Sequence, residues 1–547
     1  MTATTWELQA AAHVAARDAR IPAELQLPQS QAAQAQNRVV DVPLDSLLTP
    51  REQGITTSNC STILKKVASQ EWSAVEVAKA FSARAIAAHQ LTNCLTEVFI
   101  EEARAAELDE ILKRTGKTVG PLHGLPISLK DQLDIKGQPM TMGYVGWIGR
   151  VSAENAVLVD ILKEQGAILF VRTNVPQALM LAETINNVFG TTLNPYNRLL
   201  TCGGSSGGEG ALLAMRGSPL GVGSDLGGSI RVPAAFQGLY GLRPSYHRIP
   251  YAGATNSMLG QEVIPSVLGP MSSTLDGLKI FFKAVVDARP WSRDAQALRL
   301  PWQEEAYQLA EHGRGKRLCF GMMLDDGLVK PEPPLRRALL ETKAALEAQG
   351  HKVIDYQPLK TAEGLALVQA IFNSDGGCDV RAQLALSGEP QIGWMLKKNA
   401  EPLNTYDYWR LAHTRELYVQ EQLRAWEATA QLTGTGRPID AILAPPSSCL
   451  PPAHGTPQYI YYTSFASLCD YTSSVIPTGT FDATLDVQEP AHDFRCEADR
   501  LAWENYSPQL FEGVPIGVQI IGRKNEEEAV LRRVRFSLLR LIDRLLI

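Results

Sequence analysis

The chain has 547 residues, 45% hydrophobic and 20% charged, values ordinary for a globular protein that exclude disorder as its main state. With 52 Lys+Arg against 58 Asp+Glu the formal net charge is −6, whereas a chain built to neutralise phosphate backbones is basic, so nucleic acid is not the expected partner. The 8 cysteines are scattered with no C-x-x-C pair, which excludes zinc ribbons and disulfide scaffolds and leaves free thiols in a reducing, cytoplasmic compartment as the expectation.

In chain order, residues 5–20 and 61–90 are predicted helical. In the second segment Val75, Ala78, Lys79, Ser82 and Ile86 recur at helical spacing, and Ser73 with Glu76 makes a capping-box pattern. Residues 21–54, rich in Pro, Gln and Ser, read as an ordered loop or surface arm, and 96–113 as a further helix. From Gly116 short apolar runs alternate with helices: a strand at 126–129, a helix at 155–165, a strand at 168–171 and a helix near 176–182. A strand at 316–321, a helix at 333–349 closed by Gly350 and a strand at 352–354 follow. A long charged helix at 400–430, a strand at 440–445 and an amphipathic helix end at 538–547 complete the pattern. Such alternation predicts an α/β fold, and no linker divides the chain convincingly. No stretch approaches the roughly 20 apolar residues of a spanning helix. The charged N-terminus is not a signal-peptide core.

Glycine is concentrated between 120 and 245. Gly203-Gly204-Ser205-Ser206-Gly207-Gly208 is followed by Gly221, Gly223 and Gly227-Gly228-Ser229, placing two serines in double-glycine frames. Glycine lets backbone approach a ligand closely; a pair of tight helix-capping loops is the plainer reading. The first run also fits G-x-S-x-G, the nucleophile elbow of an α/β-hydrolase with Ser205 as nucleophile. Against this, Asn194–Arg198 before it is turn-like, and the segments around His454 and His492 show no obvious acid–His arrangement. A third piece runs from Gly120 to Asp131 and carries Lys130 at the end of an apolar strand. Such a lysine is ordinarily an exposed strand end. Buried, its amine loses charge: a pKa near 7 in place of about 10.4 costs roughly 4.6 kcal/mol, and neutral lysine is a competent base for a serine hydroxyl.

Taken together, Gly120–Asp131, Cys202–Ala211 and Gly223–Pro233 resemble the signature of the amidase signature family, in the order Lys, Ser, Ser. The likeness spans essentially the whole chain and is strongest from Gly120 to Pro244. Within the family the chain is similar to the fungal acetamidase (general amidase) branch and to fatty acid amide hydrolases, without an N-terminal membrane span.

The resemblance implies one large α/β domain with a mixed central sheet surrounded by helices. Residues 1–90 are expected as a helical arm packed on an amidase signature domain of 91–547, with the signature region at about 120–245. It implies Ser229 as the nucleophile that forms an acyl-enzyme and Ser205, preceded by a cis peptide bond, as the bridging serine. Lys130 is the implied base, and the backbone N–H groups of Leu226, Gly227, Gly228 and Ser229 the oxyanion hole, with the double glycine keeping the carbonyl's place clear. Asp225 and Arg231 are expected to pair and hold that loop. Ser206 either joins the relay or caps a helix. Leu179 and Met180 line the acyl pocket or pack in the core. Cys202 is read as structural. The implied activity is hydrolysis of a small-molecule carboxylic amide to a carboxylate and ammonia or an amine, with no metal and no organic cofactor. A homodimer is compatible with the sequence. An amidotransferase-type subunit that passes ammonia to a partner is the other class left open, and an esterase built on Ser205 the third.

Overall fold

The computed structural model describes residues 5–28, 37–99, 102–393 and 400–538. Its strands are β1 (Leu95–Val98), β2 (Pro126–Lys130), β3 (Ile168–Thr173), β4 (Ile185–Asn186), β5 (Gly190–Thr191), β6 (Leu220–Asp225) and β7 (Tyr240–Arg243), then β8 (Val267–Ser272), β9 (Cys319–Met322), β10 (Lys352–Asp355), β11 (Ala441–Ala444), β12 (Ser473–Thr480) and β13 (Pro515–Ile521). Eleven of them form one mixed sheet in the order β1-β3-β2-β6-β8-β7-β12-β13-β11-β9-β10, with β4 and β5 as a separate ribbon. This is the single α/β domain expected. Every residue of β2, β3, β6, β8 and β13 is buried, as follows when helices cover both faces of a sheet. β2 lies parallel to both β3 and β6. Lys130 ends β2 and Asp225 ends β6, so their carboxyl ends open side by side, where ligands bind in open α/β sheets. Among the described residues no helix is long and apolar enough to cross a membrane.

Several local expectations are corrected. The segment 61–90 is two helices, Cys60–Ala68 and Ala74–Thr92; the Ser73/Glu76 capping box starts the second and so breaks the run. That second helix runs through residue 90. Its Val77, Phe81, Ile86 and Leu91 share one apolar core with Ile127 of β2 and Leu169 of β3. Residues 95–98 are an edge strand and the helix begins at Glu102, because β1 pairs with β3. The stretch 21–54 carries a short helix from Pro50, opened by a second capping box at Thr49 and Glu52. Near 176–182 there is only a turn of 3-10 helix, Gln177–Leu179, with Ala178 at φ 63° and Leu179 at φ 60°. The expected end of the C-terminal helix beyond Leu538 lies outside the described residues.

Candidate active site

Burial sets the chemistry of Lys130. The side chain is fully buried, and its Nζ lies 2.7 Å from Ser205 Oγ and 2.8 Å from Ser224 Oγ. Loss of hydration brings its pKa down to about 7, against the opposing pull of the Asp225 and Glu209 carboxylates. An amine that is largely neutral near pH 7 can take a proton from a hydroxyl.

Ser205 follows the one cis peptide bond among the described residues, Gly204–Ser205. The next residue is tied to the other serine loop: Ser206 N–H donates to the Ser229 carbonyl at 3.1 Å. Ser206 Oγ neither caps its helix nor bonds Ser205. It donates to the Ser224 carbonyl and accepts from the Ser224 N–H, both at 3.3 Å, locking the loop to β6. Accessibility rises along the series, with Lys130 and Ser205 buried and Ser229 partly exposed. The Ser229 hydroxyl makes no hydrogen bond among the described residues.

The loop carrying Ser229 is organised by one carboxylate. Asp225 takes both arms of the Arg231 guanidinium at 2.9 Å and accepts the N–H groups of Gly228 at 2.8 Å, Ile230 at 3.2 Å and Arg231 at 3.4 Å. Burial alone would raise its pKa; the charge and hydrogen bonds of Arg231 outweigh that and hold it below the ordinary carboxylate range. Arg231 also donates to the Thr463 carbonyl at 2.8 Å and to Ser467 Oγ at 3.0 Å. The expected pairing of Asp225 with Arg231 is therefore present in the structure.

The four expected oxyanion donors differ in one respect. The Gly228 N–H is already given to Asp225, whereas those of Leu226, Gly227 and Ser229 make no hydrogen bond among the described residues. The Gly227–Gly228 peptide is held at its other end too, since the Gly227 carbonyl accepts from Thr463 Oγ1 at 2.6 Å and Ser464 Oγ at 3.1 Å. Glycine at 228 also has a local cause. Its φ is +138°, and a Cβ there would lie 2.8 Å from the Thr463 Cβ.

Beneath Lys130 sits Glu209, fully buried on the helix Gly207–Ala214. It accepts from Ser128 Oγ at 2.6 Å and Thr173 Oγ1 at 2.9 Å. Desolvation pushes its pKa up to about 8, opposed by those hydroxyls and by Lys130. Gly221 leaves room for it, because a Cβ on β6 would run into the Glu209 carboxylate.

Leu179, buried, and Met180, partly buried, pack in an apolar cluster with Met142, Tyr144, Trp147 and Val380. Cys202 is buried and burial raises its thiol pKa. His454 bonds Glu183 through Nδ1 at 2.5 Å and the Arg198 carbonyl through Nε2 at 3.1 Å, and His492 bonds Asp499 at 3.1 Å. Neither bonds Ser205, which removes the geometric basis for a histidine-dependent elbow. The structure adds Ser224, Gln132, Glu209, Thr463 and Ser464, to none of which the sequence reading gives a role. Ser224 and Glu209 lie within the runs Gly223–Pro233 and Cys202–Ala211 and Gln132 directly follows Gly120–Asp131, whereas Thr463 and Ser464 carry no local signal.

The family model described as Amidase matches residues 76–531. An acetamidase of Emericella nidulans is 40% identical over 534 residues, covering 96% of either chain. One of Aspergillus oryzae is 39% identical over 538 residues, covering 97% of this chain and 98% of that one. Among solved structures, fatty acid amide hydrolase superposes with a TM-score of 0.90 at 34% identity, covering 98% of this chain and 95% of that one.

Proposed function

The chain belongs to the amidase family and is a hydrolase acting on amides, and from that premise we propose that it cleaves small carboxylic amides through an acyl-enzyme on Ser229. Neutral Lys130 accepts the Ser205 proton while Ser205 accepts that of Ser229. The Ser229 oxygen attacks the amide carbonyl, and the N–H groups of Leu226, Gly227 and Ser229 stabilise the resulting oxyanion. The proton returns through Ser205 to the leaving nitrogen, which must be protonated because an amide anion is a very poor leaving group. Water then repeats the sequence on the ester and releases the carboxylate. The observation that carries this reading is Lys130 Nζ at 2.7 Å from Ser205 Oγ in a fully buried setting. The acetamidase relatives, matched over 96% or more of their length, favour a short acyl group and a stand-alone hydrolase over an ammonia-delivering subunit.

A fluorophosphonate probe is expected to add one label, on Ser229, read by peptide mass spectrometry. Ser229→Ala is expected to lose both the label and turnover, the latter by roughly 10⁴–10⁶. A label on Ser205 that persists in Ser229→Ala would overturn the assignment.

The clamp on the Gly227 carbonyl gives a second expectation. Losing an oxyanion donor outright costs about 10²–10³ in rate. Loosening the peptide between two donors should cost less. Thr463→Val combined with Ser464→Ala should lower kcat about tenfold with KM little changed, and restoring Thr463 alone should recover most of the loss. Equal changes in kcat and KM would show that the two hydroxyls do not serve the oxyanion.

A further inference from the structure

The side chain of Gln132 has its orientation fixed from outside the site. Its Nε2 donates to the Thr255 carbonyl at 2.9 Å and to the Tyr251 hydroxyl at 3.1 Å. A carbonyl oxygen can only accept, so the amide nitrogen belongs on that side and Oε1 faces the other way. There Oε1 accepts the hydroxyl proton of Ser224. A serine has a single proton. With that proton committed, Ser224 Oγ is left as an acceptor toward Lys130, whose Nζ donates to it at 2.8 Å.

We propose that Ser224 and Gln132 are a positioning pair that fixes the hydrogen-bond direction at Lys130 and so reserves its lone pair for Ser205. A neutral lysine amine has two N–H bonds and one lone pair. One N–H is spent on Ser224, and the other oxygen within reach is Ser205 Oγ at 2.7 Å. If the Ser224 proton could turn, it would donate to the lone pair and compete with Ser205. Once Lys130 holds the proton, the ammonium donates to both serines, and Ser224, polarised by its own donation to Gln132, is the better acceptor for it. The charged groups facing Lys130 are separate from this pair. They are Asp225 on β6 with its partner Arg231 and, where ionised, Glu209 on the helix Gly207–Ala214, while Asp131, next in the chain, pairs with Arg172 at 3.7 Å. Those groups supply charge, and Ser224 with Gln132 supplies direction.

The inference rests on Lys130 being the base, and the test separates the two. The pH dependence of kcat/KM on one amide is measured for the wild type, Ser224→Ala, Gln132→Met and the double variant, with thermal melting as the check on folding. Lys130→Ala, followed on the matched ester, is the reference. Each single variant deprives the ammonium of a fixed acceptor. The acid limb should therefore move about one pH unit lower, the size of one hydrogen bond to a charged group, and the plateau rate should fall about tenfold. Because Gln132 acts through Ser224, the double variant should match Ser224→Ala. Gln132→Met keeps side-chain length and adds no charge, so it still reads the limb if Ser224→Ala does not fold. A limb unmoved in a folded variant, or fully additive losses in the double variant, would overturn the positioning role. A limb that survives in Lys130→Ala would overturn the assignment of the base itself.

Discussion

Lys130→Ala is expected to lower amide turnover by about 10²–10⁴, the usual range for a general acid–base group, and to abolish the acid limb of the kcat/KM profile. In the wild type that limb should lie near pH 7, where burial has brought the lysine down to about 7. The direction is fixed by chemistry, since a charged Lys130 cannot accept the Ser205 proton and acid therefore stops the relay. The loss should be larger on an amide than on the matched ester, by about tenfold or more. An alkoxide leaves more readily and depends less on the returned proton. Equal losses would mean that Lys130 only places Ser205.

The same pKa shift has a sign for stability. Lys130 titrates lower in the folded chain than in the unfolded one, so between about 7 and 10.5 the unfolded state binds more protons and stability rises with pH. Burying this amine costs the fold at neutral pH, by up to about 4–5 kcal/mol. Lys130→Met, inactive, is therefore expected to melt higher than the wild type at pH 7, with a gap that narrows by pH 9. A gap independent of pH would show that the amine keeps its charge when buried.

The proposed reacting groups are legible because they sit in short strings of unusual composition. Two glycine-framed serines and a lysine ending an apolar run single out Ser205, Ser229 and Lys130, and the family likeness assigns them roles. The strands around them are harder to read. β6, Leu220–Asp225, and β8, Val267–Ser272, contain glycine, serine and proline where a strand ordinarily shows β-branched residues. They are strands because neighbours on both sides pair with them. At 176–182 the helical pattern loses to a backbone that turns through positive φ at Ala178 and Leu179. β1 merges with the helix after it in the sequence pattern, because four residues are too few to show a period. The clamp on the Gly227 carbonyl comes from the helix Tyr461–Cys469, far along the chain, and only tertiary packing brings it there. The polarity at Ser224 is also hidden, since it depends on where Gln132 finds its acceptors rather than on either residue's type.

Asp225→Asn is expected to cost both fold and activity. Arg231 and Asp225 are fully buried and paired at 2.9 Å, and the carboxylate also gathers the N–H groups of Gly228, Ile230 and Arg231. Breaking one side of a buried pair leaves an uncompensated charge, which costs about 3–5 kcal/mol. Asn keeps one acceptor oxygen but presents an NH₂ group where the carboxylate met Arg231, so donor faces donor. The loop 226–231 then loses the anchor that holds the Gly228 N–H and, under the proposed mechanism, the order of the oxyanion donors beside it. The loss of kcat should accordingly exceed any change in KM. Arg231→Met should destabilise the fold to a similar degree by stranding the carboxylate. The two losses should not add, because the double variant buries no charge; a coupling of a few kcal/mol is expected. The pH dependence has the opposite sign to that of Lys130. Asp225 is held below the ordinary carboxylate range, so its contribution is complete above about pH 4 and is lost as acid protonates the folded carboxylate. Wild type and Asp225→Asn should therefore converge in melting temperature on acidification. Additive losses, or a stability gap that does not close in acid, would show that the Asp225–Arg231 pair is not what holds the loop of Ser229.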